Sequence, residues 1–255
     1  MFRVNCILIG LLATLAVNAS AASNDLSNAG VVEFNAAYQA WDGARFAAAA
    51  ELFRRATTNE PANAMNFYWL GAAQFHRMLQ LQNAPANRTN EAPAKAALDA
   101  AVDALTVAVK LVEGHAETHA LLSTLYGMKI NCNLLRGVRF GPRVAKHQEL
   151  ALKHGASNPR VQYLLGMCQF HTANKPADWQ AALQTLLKAE KLFETEAKTT
   201  VALRWGQSSC LTFIGRAYEN LGKATEAAPY FRKALAMHPA DHLAEEGLKR
   251  ASEKK

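Results

Sequence analysis

The 255-residue sequence contains little glycine or proline, 14 and 8 residues respectively. Collagen needs glycine at every third position, and disordered chains are rich in glycine, proline and net charge, so both classes are excluded. After residue 21 no stretch of 18 residues is apolar throughout, which argues against a membrane-spanning helix there. Alanine, by contrast, makes up about a fifth of the chain. Because alanine is the strongest helix former, this composition favours an all-α fold.

The first 21 residues have the pattern of a secretory signal peptide. Arg3 supplies positive charge, Cys6 to Val17 form an apolar run, and Ala19-Ser20-Ala21 offers small residues for cleavage. The run would rise only about 18 Å as a helix, which is too short for a bilayer core of about 30 Å. We therefore expect a cleaved leader and a periplasmic or secreted chain, and not a transmembrane protein. An uncleaved anchor is the alternative.

The net charge of +7 comes mainly from one block. Residues 128–160 carry seven Lys and Arg and a single acid, whereas the rest of the chain is nearly balanced. Within this block we define the basic patch as Arg136, Arg139, Arg143, Lys146 and Lys153. One interpretation is an anionic partner, such as an acidic peptide, a phospholipid surface or an anionic envelope polymer. The other is a solvated outer face.

Nucleic acid is not expected as a partner. The leader removes the chain from most nucleic acid, and the sequence has no basic-aromatic binding motif.

Residues 208–240 contain two spaced sets of small and large residues. The first set is Leu211, Ile214, Gly215 and Tyr218, and the second is Ala227, Phe231, Ala234 and Pro239. These positions resemble the tetratricopeptide repeat (TPR), whose pattern is W-x2-L-G-x2-Y, then A-x3-F, then P. The resemblance implies a helix-turn-helix unit in which Gly215 and Ala227 let the two helices approach.

The same frame recurs upstream, so the sequence predicts five units. The corresponding small residues are Ala37, Gly71, Ser123, Gly166 and Gly215, at steps of 34, 52, 43 and 49 residues. Since the TPR period is 34 residues, three units carry insertions. The predicted units are residues 30–62, 63–114, 116–157, 159–206 and 208–240, followed by a capping helix over residues 241–252. Residues 22–255 are thus expected to form a right-handed, all-α solenoid of TPR repeats with a C-terminal capping helix.

The second helices of units two, three and four are predicted at Pro93–Val112, Pro142–His154 and Trp179–Phe193. Pro142 is placed at the start of its helix because proline suits the first helical turn. Residues 131–142 are then an insertion loop.

The resemblance also implies a binding groove, because the first helices of TPR units commonly line a concave surface that binds a peptide or a partner helix. The predicted groove residues are Phe34, Tyr38, Trp41, Tyr68, Phe75, His76, Tyr163, Met167, Phe170 and His171. Exposed aromatic surface usually marks binding, and Tyr68, Phe75, Tyr163 and Phe170 are the predicted contacts. The alternative is that insertions or neighbouring helices cover these rings as core.

No catalytic, metal or cofactor motif is found. Cleavage of the leader leaves Cys132, Cys168 and Cys210, which are too far apart in the repeat frame for disulfides, so we expect free and mostly buried thiols. His115 and His119 have a spacing that suits zinc but lack a third ligand. The sequence has no G-x-S-x-G, P-loop or dinucleotide fingerprint, and no cofactor is expected.

The sequence therefore predicts a non-catalytic scaffold or adaptor that holds a protein or peptide in its groove. One alternative is a pocket, closed by the insertions, for a small apolar or anionic ligand. Another is an accessory subunit of an envelope enzyme or transport complex. An enzyme would need several titratable groups in one cleft, and the groove offers only His76, His171 and Asp42. A deep cavity favours the small ligand, whereas an open channel favours a peptide.

Overall fold

Polar side chains just before the helices fix where several of them begin. Asp42 accepts hydrogen bonds from two backbone N–H groups of the next turn, at 2.8 and 3.2 Å. Asn133, Asn158 and Asp241 cap three further helices in the same way. These caps satisfy N–H groups that have no partner inside a helix, and so each sets a helix start.

The computed structural model describes residues 25–83, 90–197 and 202–253, which form helices joined by turns and contain no strand. The predicted signal peptide, residues 1–21, lies outside the described residues. The helices are α1 (25–40), α2 (Gly43–Asn59), α3 (Ala64–Asn83), α4 (Glu91–Leu111), α5 (Ala116–Ile130), α6 (Leu134–Gly155), α7 (Pro159–Thr172), α8 (Pro176–Glu194), α9 (Gln207–Asn220), α10 (Ala224–Met237) and α11 (His242–Glu253).

The helices stack as successive hairpins. The main contacts join α3 to α4, α5 to α6, α7 to α8 and α9 to α10, and each hairpin contacts the next along the chain. Helix α11 packs on α9 and α10 and caps the stack. The predicted all-α solenoid with a capping helix is therefore confirmed.

Small residues of the first helices lie against large residues of the second helices. A Cβ atom on Gly71 would come within 2.5 Å of Leu105, and one on Gly215 would come within 2.6 Å of Phe231. Such distances are too short for non-bonded carbon atoms, which prefer about 3.5–4.0 Å. The repeat frame thus places glycine where the two helices of a hairpin touch.

The predicted start of the second helix of unit three is wrong. Helix α6 begins at Leu134, eight residues before Pro142, which lies inside the helix. Asn133 caps this earlier start through a 3.0 Å bond from the backbone N–H of Arg136. Proline lacks an N–H and so removes one helical hydrogen bond, but this part of α6 is exposed and water can solvate the freed carbonyl. The predicted loop 131–142 is therefore mostly helix.

None of the described helices has both the length and the apolar character needed to cross a membrane.

Candidate functional site

A non-helical segment of the chain, residues 202–206, lies against the predicted groove. Its Trp205 ring lies 5.1 Å from His76, 6.4 Å from Phe75 and 6.5 Å from Tyr163, between ring centroids. Leu203 and Trp205 are buried. The insertion between α8 and α9 therefore fills part of the concave surface with the protein's own side chains.

Most of the predicted groove residues are consequently core. Seven of them are buried: Phe34, Tyr38, Tyr68, Phe75, His76, Tyr163 and Phe170. Trp41 and Met167 are partly buried, and His171 is exposed. The expected open aromatic stripe is thus not present, because these rings pack on one another and around Trp205. Of the two interpretations of the stripe, the structure agrees with the covered core.

Two side chains hold the main chain of this segment in place. Asn35 donates to the carbonyl oxygen of Ala202 at 3.1 Å and accepts from the backbone N–H of Arg204 at 2.8 Å. Arg160 donates from Nη2 to the carbonyl oxygen of Leu203 at 3.2 Å. The concave surface therefore binds polypeptide backbone through side chains of units one and four.

The same segment connects the two ends of the solenoid. The hydroxyl of Tyr38 accepts from the backbone N–H of Gly206 and is hydrogen-bonded to Ser209, both at 3.1 Å. The Tyr38 ring also stacks on His238, at 5.6 Å between centroids. Gly206 has a φ of 96°, a conformation that favours glycine. Unit one thus touches unit five across the concave side.

The buried Arg160 lies at the centre of an ion-pair network whose carboxylates are partly exposed to solvent. Its guanidinium pairs with Glu196 and, at 3.6 Å, with Glu117. Burial opposes its charge, but the two carboxylates outweigh this and raise the pKa of Arg160 above its usual value. Tyr68 donates to Glu117, and burial together with that carboxylate raises the pKa of Tyr68 well above its usual value. Arg160 therefore stays charged, and Tyr68 stays protonated, near neutral pH.

A cavity of about 750 Å³ opens beside this network. Residues 202–205 form one wall, and the opposite walls come from α1, from the starts of α3, α5, α7 and α9, and from the end of α10. Charged groups of both signs line it, together with apolar side chains such as Met65, Trp69 and Met237. A volume of this size lies within the range of small-molecule and short-peptide sites.

Three buried nitrogen atoms of residues that line this cavity lack a hydrogen-bond partner within the described part of the chain. They are Nε of Arg160, Nε1 of Trp205 and Nε2 of His238. Burying a polar group without a partner costs about 1–3 kcal/mol, so such groups call for an explanation. Each of these atoms has almost no contact with solvent, so a ligand in the open cavity would reach it only if the side chain moved.

The basic patch lies apart from this cavity, on α6. Arg136, Arg139, Arg143, Lys146 and Lys153 are all exposed. Within the described ranges, none of the five has a carboxylate oxygen within 4.0 Å.

The cysteines and histidines do not form a metal centre in the described residues, where no group of three or more potential ligands is found. Cys132, Cys168 and Cys210 are free thiols, as expected; Cys168 is partly buried and Cys210 fully buried, whereas Cys132 is exposed. His119 contacts His147 at 2.8 Å between the Nδ1 atoms, while its Nε2 lies 2.7 Å from the carbonyl oxygen of Glu113. Because Nε2 donates to that carbonyl, Nδ1 of His119 must accept from His147.

The predicted groove includes Tyr38 and Tyr68 of the cavity wall, but sequence reasoning missed Arg160 and Trp205. Arg160 belongs to the basic block by sequence, although it follows directly after the Asn158-Pro159 helix start and is buried. Trp205 lies in an insertion, where a large apolar ring without a helical pattern would have indicated a segment that packs back on the repeats.

Compared by sequence, the chain matches no protein-family model and no curated protein. Its structure is similar to that of a thermophilic TPR protein from Thermus thermophilus, with 18% identity, a TM-score of 0.63, and coverage of 90% of this chain and 98% of that chain. It also matches YrrB, a TPR protein with an unusual peptide-binding site, at 14% identity, a TM-score of 0.40, and coverage of 80% and 84%. The first likeness, together with the hairpin stack, identifies the fold as the right-handed solenoid of TPR repeats.

Proposed function

We propose that this chain is a non-catalytic binding protein that holds a short peptide segment of a partner protein in the cavity beside residues 202–205. The observation that carries the proposal is the binding of this protein's own main chain by Asn35 and Arg160 on the cavity wall. A surface that binds backbone in this way suits a second polypeptide segment laid alongside the first.

The charge of the cavity narrows the choice of ligand. Arg160 and Arg204 are matched by Glu117 and Glu196 on its walls, so the cavity has no excess of one sign. Apolar walls and balanced charge favour an uncharged or mixed peptide over a strongly anionic ligand.

Peptide display on the purified protein tests this proposal. A library of random heptapeptides is selected on the wild type and on Ala36→Trp, which places a large ring in the cavity wall. The control is Ala40→Trp, one turn further along α1 and outside the cavity lining. We expect related peptides to be enriched on the wild type and on Ala40→Trp but not on Ala36→Trp. Enrichment of the same peptides on Ala36→Trp would show that they bind elsewhere.

A second candidate is a pocket for a small molecule, which the volume of about 750 Å³ favours. It predicts that a small-molecule library raises the melting temperature of the wild type and of Ala40→Trp, but not of Ala36→Trp, while no peptide family is enriched.

The proposal includes a second, anionic partner at the basic patch, where five exposed cations have no carboxylate nearby among the described residues.

The proposal also includes export and cleavage after residue 21, on the basis of the leader pattern. N-terminal sequencing of the protein recovered from an exporting bacterial host is expected to begin near Ala22. A chain that starts at Met1 and stays in the cytoplasm would contradict export.

A further inference from the structure

Helix α6 differs from the other second helices in how little of it is buried. Helix α4 buries seven residues and α2 buries six, whereas α6, with 22 residues, buries only Ala151. It packs on α5 and makes few contacts with α7. The outer side of α6 is therefore not covered by any described part of the chain.

The exposed side of α6 begins with three large apolar residues. Leu134, Leu135 and Val138 are 83%, 81% and 72% exposed, more than any other large apolar side chain in the described ranges. Exposure of this degree means that the side chains project outward with no neighbour around them. Residues 131–136 are all exposed, so the whole start of α6 protrudes. Apolar groups placed in this way are costly in water unless something covers them.

Arginines lie next to these apolar residues. The guanidinium of Arg139 lies 5.2 Å from the centre of the Phe140 ring, and that of Arg143 lies 5.4 Å from the centre of the Tyr126 ring. Stacking on a ring holds a guanidinium in place while its N–H groups remain free. Such groups bind phosphate through paired hydrogen bonds. The start of α6 therefore combines apolar side chains with oriented phosphate-binding groups.

We propose that the start of α6 inserts into the surface of an anionic phospholipid bilayer. Leu134, Leu135 and Val138 enter the acyl region, and Arg136, Arg139 and Arg143 bind lipid phosphates. This inference rests on the proposed function, in which the basic patch binds an anionic partner, and it identifies that partner as a bilayer. We favour a bilayer because protruding apolar side chains can insert into its acyl layer. An acidic peptide would instead need a groove in which to bind. Interfacial helices combine apolar and basic residues in this manner.

Vesicle sedimentation tests the proposal. The full chain is mixed with vesicles of phosphatidylcholine alone or with an equal part of phosphatidylglycerol, at low and at physiological salt. We expect binding to the anionic vesicles only, weakened by salt. Leu134→Ser/Leu135→Ser should weaken binding at least about tenfold, because two apolar side chains no longer leave water. Arg136→Gln/Arg139→Gln/Arg143→Gln should weaken it by about tenfold or more.

Matched controls remove similar groups elsewhere. Val32→Ser removes a large apolar side chain that is 69% exposed on α1. Lys175→Gln/Lys188→Gln/Lys191→Gln removes three exposed charges from unit four. Both controls should bind vesicles as the wild type does. All variants have the same N-terminus, so any contribution of residues 1–21 is common to them, and circular dichroism verifies that each one is folded.

Two outcomes would overturn the proposal. One is failure of the wild type to bind anionic vesicles more tightly than neutral ones. The other is unchanged binding of the double leucine variant, which would mean that charge alone acts. Soluble polyglutamate serves as a comparison ligand. If it binds the three-arginine site while vesicles do not, the bilayer proposal fails but the proposal of an anionic partner stands. If neither binds, both proposals fail, and the peptide cavity is unaffected.

Discussion

At the scale of the single residue, His76 is the clearest case of a polar group held in an apolar surrounding. Its ring is buried, and its Nδ1 donates to the carbonyl oxygen of Ala72 at 2.8 Å. Burial lowers the pKa of His76 to about 4 from a usual value of 6.5. The neutral ring is therefore part of the core at neutral pH, and its protonation competes with folding.

This pKa predicts a loss of stability in acid. The unfolded chain binds a proton at His76 below about pH 6.5, whereas the folded chain resists this until about pH 4. The free energy of unfolding is therefore not reduced by this group above pH 6.5. It falls by about 3 kcal/mol as the pH decreases to 4, because only the unfolded chain takes up the proton in this range. In urea unfolding at pH 7 and pH 4.5, His76→Leu should lose less stability on acidification than the wild type does.

The control for this experiment is His242→Gln, at the start of the capping helix and away from the aromatic core. It should retain the pH dependence of the wild type. An equal loss of stability in His76→Leu and the wild type would mean that His76 is not the group responsible.

At the scale of the helix, the hairpins depend on the absence of a side chain at one position. A Cβ on Gly166 would lie 2.7 Å from the side chain of Leu186 and 3.2 Å from its backbone nitrogen. A backbone atom cannot move aside as a flexible side chain can. Glycine within a helix reduces the stability of that helix. At Gly166 the packing gained by the close approach of α7 and α8 compensates for this reduction.

We therefore predict opposite effects for two Gly→Ala substitutions. Gly166→Ala should reduce the free energy of unfolding by about 1–3 kcal/mol, because it forces α7 and α8 apart. Gly127→Ala, in α5, meets nothing within 4 Å and should raise it by up to about 1 kcal/mol. Urea titration of both variants measures this. An increase in the free energy of unfolding in Gly166→Ala would show that Leu186 lies farther from Gly166 than this contact requires.

The helices show which structural features could be predicted from the sequence and which could not. Small residues such as Gly71 and Gly215 predicted the hairpins because close packing leaves a local trace in the spacing. The predicted start of α6 is wrong because it relies on Pro142, whereas the Asn133 cap determines where the helix begins. The cavity was not predictable in this way. It depends on Trp205 packing against α3 and α7, which are far away in the sequence.

At the scale of the whole molecule, the contact between unit one and unit five alters how the solenoid unfolds. In an open repeat protein each unit touches only its neighbours, and the units at the ends are lost first. Here Asn35 and Tyr38 are hydrogen-bonded to residues more than 160 positions away. The two ends of the solenoid therefore support each other.

This contact predicts a cooperative unit that includes both ends. In Asn35→Ala/Tyr38→Phe, we expect the amides of α1 and α2 to exchange hydrogen sooner than those of α7 to α10, while in the wild type they exchange together. Hydrogen exchange followed by mass spectrometry measures this.

The comparison for this experiment is Ser27→Ala, which removes the 2.7 Å bond between Ser27 and Asn66 of the neighbouring unit. It should weaken all helices alike. Equal behaviour of Ser27→Ala and the double variant would mean that the end-to-end contact is not special.

The hydrogen bonds of Asn35 to residues 202 and 204 also limit how such a protein can evolve. Open solenoids gain and lose whole repeats by duplication and deletion, since a new unit merely lengthens the stack. In this chain an added or deleted unit between α2 and α8 would change the arc and move Asn35 away from its partners. We therefore expect the number of repeats to be fixed. Sequence change should accumulate instead in loops that do not touch the contact between unit one and residues 202–206.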